Sequence, residues 1–121
     1  MVPGRSKGGV PHVRPPIAVL KAMLTLRVHL DDCDATQGPL RVLPGSHTRG
    51  RLDAGEIRGW LDRVPPVTCL VPRGGVLLMR PLILHASSPA TDPRHRRVVH
   101  LEYAALRLPG NVDWFECSET A

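Results

Sequence analysis

One stretch carries three residue types that could do chemistry together. Between Leu82 and Arg97 the chain reads LILHASSPATDPRHRR: an apolar run delivers His85 to its polar end, Ser87 follows, and arginines stand at positions 94, 96 and 97. A histidine at a strand end can hold a metal or move a proton. Ser87, two residues on, shares its strand face if the strand continues. Arg96, carried back on the next strand, can clamp a carboxylate, because its planar fork meets two oxygens at once. Metal, imidazole, hydroxyl and guanidinium together would suit a small dicarboxylate. The same residues also fit a plain strand, a polar turn and a second strand with solvated arginines.

A second candidate is His29-Leu30-Asp31, whose H-x-D spacing lets an imidazole and a carboxylate meet a metal from one strand face. Its strand, Leu24 to Asp31, alternates strictly, with Leu24, Leu26, Val28 and Leu30 on one face and Thr25, Arg27, His29 and Asp31 on the other. If the apolar face lines the interior, His29 and Asp31 point outward and cannot reach an interior site. His100 and Glu102 share a face with Arg96 and could touch a substrate or form a structural hydrogen bond.

The elements that must position these residues are short. Residues 1–14 carry no period of either kind and read as a loop or tail; Pro15 and Pro16 can open a helical turn. The strand Leu24–Asp31 and a short one at Pro39–Leu43 read as a hairpin with a long tip. Asp53 and Glu56 have capping-box spacing ahead of a helix of about ten residues, which Pro65 and Pro66 end. Val67–Val71, the turn Pro72–Gly75 and the apolar run Val76–Leu84 suggest a second hairpin. Arg97–Ala104 alternates again, and the segment 109–121 reads as a tail. Five strands and one helix suggest an antiparallel sandwich or barrel, formed by residues 15–108.

Composition sets the bounds. A chain of 121 residues has room for one small domain. Its 13 prolines and 11 glycines favour turns and β structure over a helical bundle. The formal charge of +5 is almost wholly arginine. Those arginines are scattered, with no interleaved aromatics to stack bases, so nucleic acid is not the expected partner. Cys33, Cys69 and Cys117 are odd in number and widely spaced, which supports neither a disulfide framework nor a thiolate zinc site and fits a reducing, cytoplasmic setting. No apolar stretch approaches the roughly 18 residues of a membrane span, and no membrane partner is expected.

The blocks LTLRVHLDDCDATQGPLRVLPGSH and RGGVLLMRPLILHASS, followed by an arginine eleven positions after the histidine, resemble the phytanoyl-CoA dioxygenase family of non-haem Fe(II)/2-oxoglutarate-dependent oxygenases. The resemblance runs from about Pro11 to Tyr103. It implies a mainly β fold, a partial double-stranded β-helix of the jelly-roll, cupin-like kind with one or two short helices. It also implies that His85 matches the family's distal iron histidine, that Ser87 matches a hydroxyl contacting 2-oxoglutarate, and that Arg96 matches the residue clamping its far carboxylate. The expected cofactors are therefore Fe(II) and 2-oxoglutarate, and the expected partner of an intact enzyme is a small-molecule substrate that it hydroxylates.

The family's proximal H-x-D iron motif lies on an earlier strand, well before the P-G-S-H block. His29-Leu30-Asp31 sits instead on the strand leading into that block. The resemblance thus implies the C-terminal portion of such a dioxygenase, without two of three iron ligands and inactive alone. The alternative is a non-catalytic β module that binds a small anion or completes a partner's barrel, with self-association through uncovered sheet edges.

Overall fold

The computed structural model describes residues 3–7 and 10–114. Alternating sequence becomes strand where expected: β3 covers Met23–His29 and β8 covers Val98–Ala104. Between them in sequence lie β4 (Leu40–Val42), β5 (Val67–Cys69), β6 (Val76–Met79) and β7 (His85–Ser87). These six strands form two antiparallel sheets of three, ordered β6-β3-β8 and β5-β4-β7. The mainly β, jelly-roll-type expectation holds.

Ahead of them, β1 (Pro3–Lys7) and β2 (Val10–Val13) pair antiparallel, so the segment expected to be a loop or tail carries two strands. Its glycines and prolines hide the period from which a strand is read. Pro16 opens the short helix α1 (Ile17–Lys21), as proline's fixed φ favours. In the longer helix α2 (Ala54–Arg63), the Asp53 carboxylate accepts the Glu56 amide at 2.8 Å, and the Glu56 carboxylate accepts the Asp53 amide at 2.8 Å. That reciprocal capping is what the spacing predicted. Of the expected C-terminal tail, residues 109–114 carry no helix or strand, and 115–121 lie outside the described residues.

Neither expected hairpin forms. β3 pairs with β6 and β8, while β4 pairs with β5 and β7. The connections β3–β4, β5–β6, β6–β7 and β7–β8 each change sheet, while β4 and β5 pair within one, and the turns that looked like hairpin tips are crossovers. The apolar run Val76–Leu84 is likewise not one strand. It breaks at Pro81, where the Ile83 amide donates to the Arg80 carbonyl, and His85 begins a new strand in the other sheet rather than ending the old one.

The larger correction concerns direction. Register puts Thr25, Arg27 and His29 on one face of the first sheet with Leu77, Val98 and His100, and puts Leu26 and Val28 on the other with Val76, Leu78, Val99 and Leu101. Thr25 and His29 are 3% and 4% exposed, whereas Leu78 and Tyr103 are 56% and 50% exposed. The polar face is the inner one. It looks across a cavity to Leu40, Cys69 and Ser87 of the second sheet. Alternation shows that a strand has two unlike faces and leaves open which of them is covered.

Candidate functional site

Ser46, of the P-G-S-H block, is fully buried and sets the start of β7. Its hydroxyl donates to the Leu43 carbonyl at 2.7 Å and accepts the Leu84 amide at 2.8 Å, while the Leu43 amide donates to the Leu84 carbonyl at 2.9 Å. A turn serine thereby holds the backbone immediately before His85. The Nδ1 of His85 lies 2.7 Å from the Ile83 carbonyl oxygen. A carbonyl can only accept, so Nδ1 carries the proton and the Nε2 lone pair is left for a ligand, as is usual for a metal-binding imidazole whose other nitrogen donates to a backbone carbonyl. His85 is exposed and lines a groove of about 370 Å³ with Val42, Leu43, Ile57 and Leu61. Among the described residues, no group of three His, Cys, Asp or Glu side chains could hold a metal ion.

Ser87 and Arg96 belong to a different space. Both line the cavity between the sheets, together with Arg27, His29, Cys33 and Cys69. One Arg96 nitrogen, Nη1, donates to the Gln37 and Gly38 carbonyls, each at 2.7 Å, which fixes the guanidinium at the cavity wall. Gly38 makes this possible. Its φ of 62° is in the left-handed region, and a Cβ there would collide with the Ser88 carbonyl oxygen. Gln37, 1% exposed, pegs the opposite loop by donating to the Asp92 carbonyl at 2.6 Å and accepting the Arg94 amide at 3.3 Å. The Q-G pair thus ties the loop before β4 to the loop before β8.

The cavity's electrostatics are one-sided. Among the described residues, two arginines and a histidine line it, and no carboxylate does. His29 Nδ1, His29 Nε2 and Arg27 Nε are buried with no hydrogen-bond partner. Burial, and then the nearby Arg27 and Arg96 charges, push the His29 imidazole below its usual value, so it is more readily neutral. Burial pushes the Cys69 thiol up. An arrangement of orphaned donors with uncompensated positive charge is suited to receiving an anion, because an unpartnered buried nitrogen is costly until an acceptor arrives.

Asp31 serves another purpose. Its carboxylate accepts from the Arg97 amide at 2.8 Å and from Nε and Nη2 at 2.9 Å each, and this bidentate contact holds its carboxyl well below the usual carboxylate range. The H-x-D pair is therefore divided, with His29 inside and Asp31 spent on Arg97. The expectation that His29 points outward is overturned, since it followed from placing the leucines inside. Arg94 pairs with Asp34 at 3.0 Å, and His100 Nε2 sits 3.4 Å from Glu102 in the exposed middle of β8. Reading for apolar interiors misses Arg27 and Gln37 and turns the candidate His29 outward. A signal existed in the unbroken polar set Thr25, Arg27 and His29 on a strand in the middle of its sheet.

A small two-sheet β fold with a basic interior cavity and a tethered imidazole is the architecture of a cupin-type oxygenase domain. The chain belongs to the phytanoyl-CoA dioxygenase family of Fe(II)/2-oxoglutarate-dependent oxygenases, whose sequence pattern matches residues 8–98. Its fold is similar to EctD from S. alaskensis with 2-oxoglutarate and 5-hydroxyectoine, at 29% identity and a TM-score of 0.64 over 73% of this chain and 33% of that one. EctD with bound Fe matches at 28% identity and 0.64, over 73% of this chain and 34% of that one. AviO1 from Streptomyces viridochromogenes Tue57 matches at 29% identity and 0.61, over 74% of this chain and 39% of that one. The chain thus spans well under half the length of these solved relatives. No curated protein matches it in sequence. Among the described residues no helix is long and apolar enough to cross a membrane.

Proposed function

We propose that this chain is the C-terminal, 2-oxoglutarate-holding part of a phytanoyl-CoA dioxygenase-type hydroxylase and does not turn over alone. The observation that supports this most is the cavity, lined by no carboxylate among the described residues, in which Arg96 is pinned through Nη1 and Ser87 is a second wall residue. Arg96 would hold the far carboxylate of 2-oxoglutarate and Ser87 would donate a hydroxyl to it. His85, with Nε2 left free by its Nδ1 contact, would supply one bond to iron. One imidazole falls short of an iron site, which needs a facial set of three protein ligands. Iron with 2-oxoglutarate, when both are bound, supplies the oxidant for a substrate C–H bond. The part this chain plays is to orient the keto acid and to hold its charged end in a basic recess.

Anaerobic titration with 2-oxoglutarate and Fe(II) tests this reading. The expected result is 2-oxoglutarate binding that Arg96→Leu abolishes, without the visible charge-transfer band of the iron chelate. That band from the isolated chain would overturn the inactivity, and absence of 2-oxoglutarate binding would overturn the assignment.

A second reading is favoured by the bare apolar face of the β6-β3-β8 sheet, where Val76, Leu78, Leu101 and Tyr103 are each more than 40% exposed. On it, the chain is a non-catalytic module completing a partner's barrel or pairing with itself. A clean monomer in sedimentation, unfolding cooperatively, would sink that reading.

A further inference from the structure

His29 has no part in the roles set out above, yet among the described residues it is the one side chain with two buried polar atoms that lack a partner. It is 4% exposed, neither ring nitrogen has a partner, and it lines the same cavity as Ser87 and Arg96. A core histidine of no function ordinarily gives at least one nitrogen to a backbone carbonyl or a side chain, since a buried orphan donor is costly. Here the nearest charges are Arg27 and Arg96, which repel a proton and offer no acceptor.

The geometry of the cavity narrows what could satisfy it. Its free volume is about 20 Å³, about the room for one water-sized group. A carboxylate end can enter such a space where a whole keto acid cannot. The walls bring two arginines, a hydroxyl and an imidazole, all of which can donate, and no competing acid. We infer that His29 is a direct hydrogen-bond donor to the carboxylate of the dicarboxylate that enters this cavity, sharing it with Arg96. This rests on the reading of the cavity as the 2-oxoglutarate site and adds to it a binding residue on β3, the strand facing Ser87 from the other sheet. A neutral imidazole suffices, because one ring N–H remains to donate in either tautomer.

Succinate is the probe, as it carries the two carboxylates without the keto group that would call for a metal. The full chain is titrated by calorimetry and, with ¹⁵N-labelled histidine, by NMR of the ring nitrogens. Saturation should move a His29 ring signal, His29→Leu should weaken succinate about tenfold, in keeping with loss of one hydrogen bond to a charged group, and Arg96→Leu should abolish binding. If His29→Leu binds as tightly as the unaltered chain while Arg96→Leu does not bind, the inference falls and the dicarboxylate site stands. If the unaltered chain takes up no succinate, both fall. Should His29→Leu fail to fold, the ring signals of the unaltered chain decide alone: unmoved at saturation, they overturn the inference.

Discussion

The two faces of the β6-β3-β8 sheet are opposites in both chemistry and exposure. Along β3 the inner one carries Thr25, Arg27 and His29 and is covered, although His100 and Glu102 of β8 on the same face are exposed; the outer one carries Val76, Leu78, Val99 and Leu101 and is open. On composition alone the two would be exchanged. Each face is costly by itself, since buried polar groups without partners and bare apolar area both oppose folding. What the contrast teaches is that burial here follows the cavity between the sheets and not hydropathy. The inner face keeps donors waiting for an acceptor, and the outer face keeps a surface that the described residues do not cover.

The sharpest way to break the contrast is at the inner wall. Gly38→Ala should destabilise by roughly 3 kcal/mol in urea titration, the left-handed backbone and the collision with Ser88 together displacing the carbonyls that hold Arg96. Ser46→Ala should cost about 2 kcal/mol by the same measurement, because the Leu84 amide loses its acceptor in a buried position. His29→Leu should run the other way and stabilise by roughly 1 kcal/mol, as it removes two unpaired buried nitrogens from the fold while weakening the cavity for anions. On the outer face, Leu78→Gln should change stability by less than about 0.5 kcal/mol. Its effect should show instead as reduced self-association in sedimentation.

The smallest expected effect is at Asp31. Its carboxyl is held below the unfolded value near 3.9, so its contribution is complete above about pH 4 and is lost as pH falls from there towards the lower folded value. Asp31→Asn should flatten that acid limb in melts taken from about pH 6 to about pH 2, with little change near neutrality, since Arg97 is largely exposed.

Local features were legible in the sequence. The Asp53–Glu56 cap, the proline-opened turn at α1 and the alternation of β3 and β8 all rest on neighbours a few residues apart, and all formed as expected. The pairing of strands was not legible, because outside β1–β2 and β4–β5 every pair joins strands that are not neighbours in sequence, and no turn residue reports that. Ser87 and Arg96, singled out by H-x-S and the distant arginine, line one cavity. The separate placement of His85 in a groove beside α2 depends on the break at Pro81, which looked like the middle of an apolar run. His29 was discounted for a physical reason that failed: the assumption that leucines face inward.

Strand β3 also has a consequence in time. It is the centre of its sheet, yet Val28 pairs with Val76 and Met23 with Ala104, residues synthesised long after it. During synthesis β3 leaves the ribosome with both edges unpaired and no local hairpin to shield it. Such non-local pairing makes folding slow, on the scale of milliseconds to seconds, and leaves the row Leu24, Leu26 and Val28 open to other chains meanwhile. The chain's most vulnerable interval is therefore the one between making its central strand and making its last.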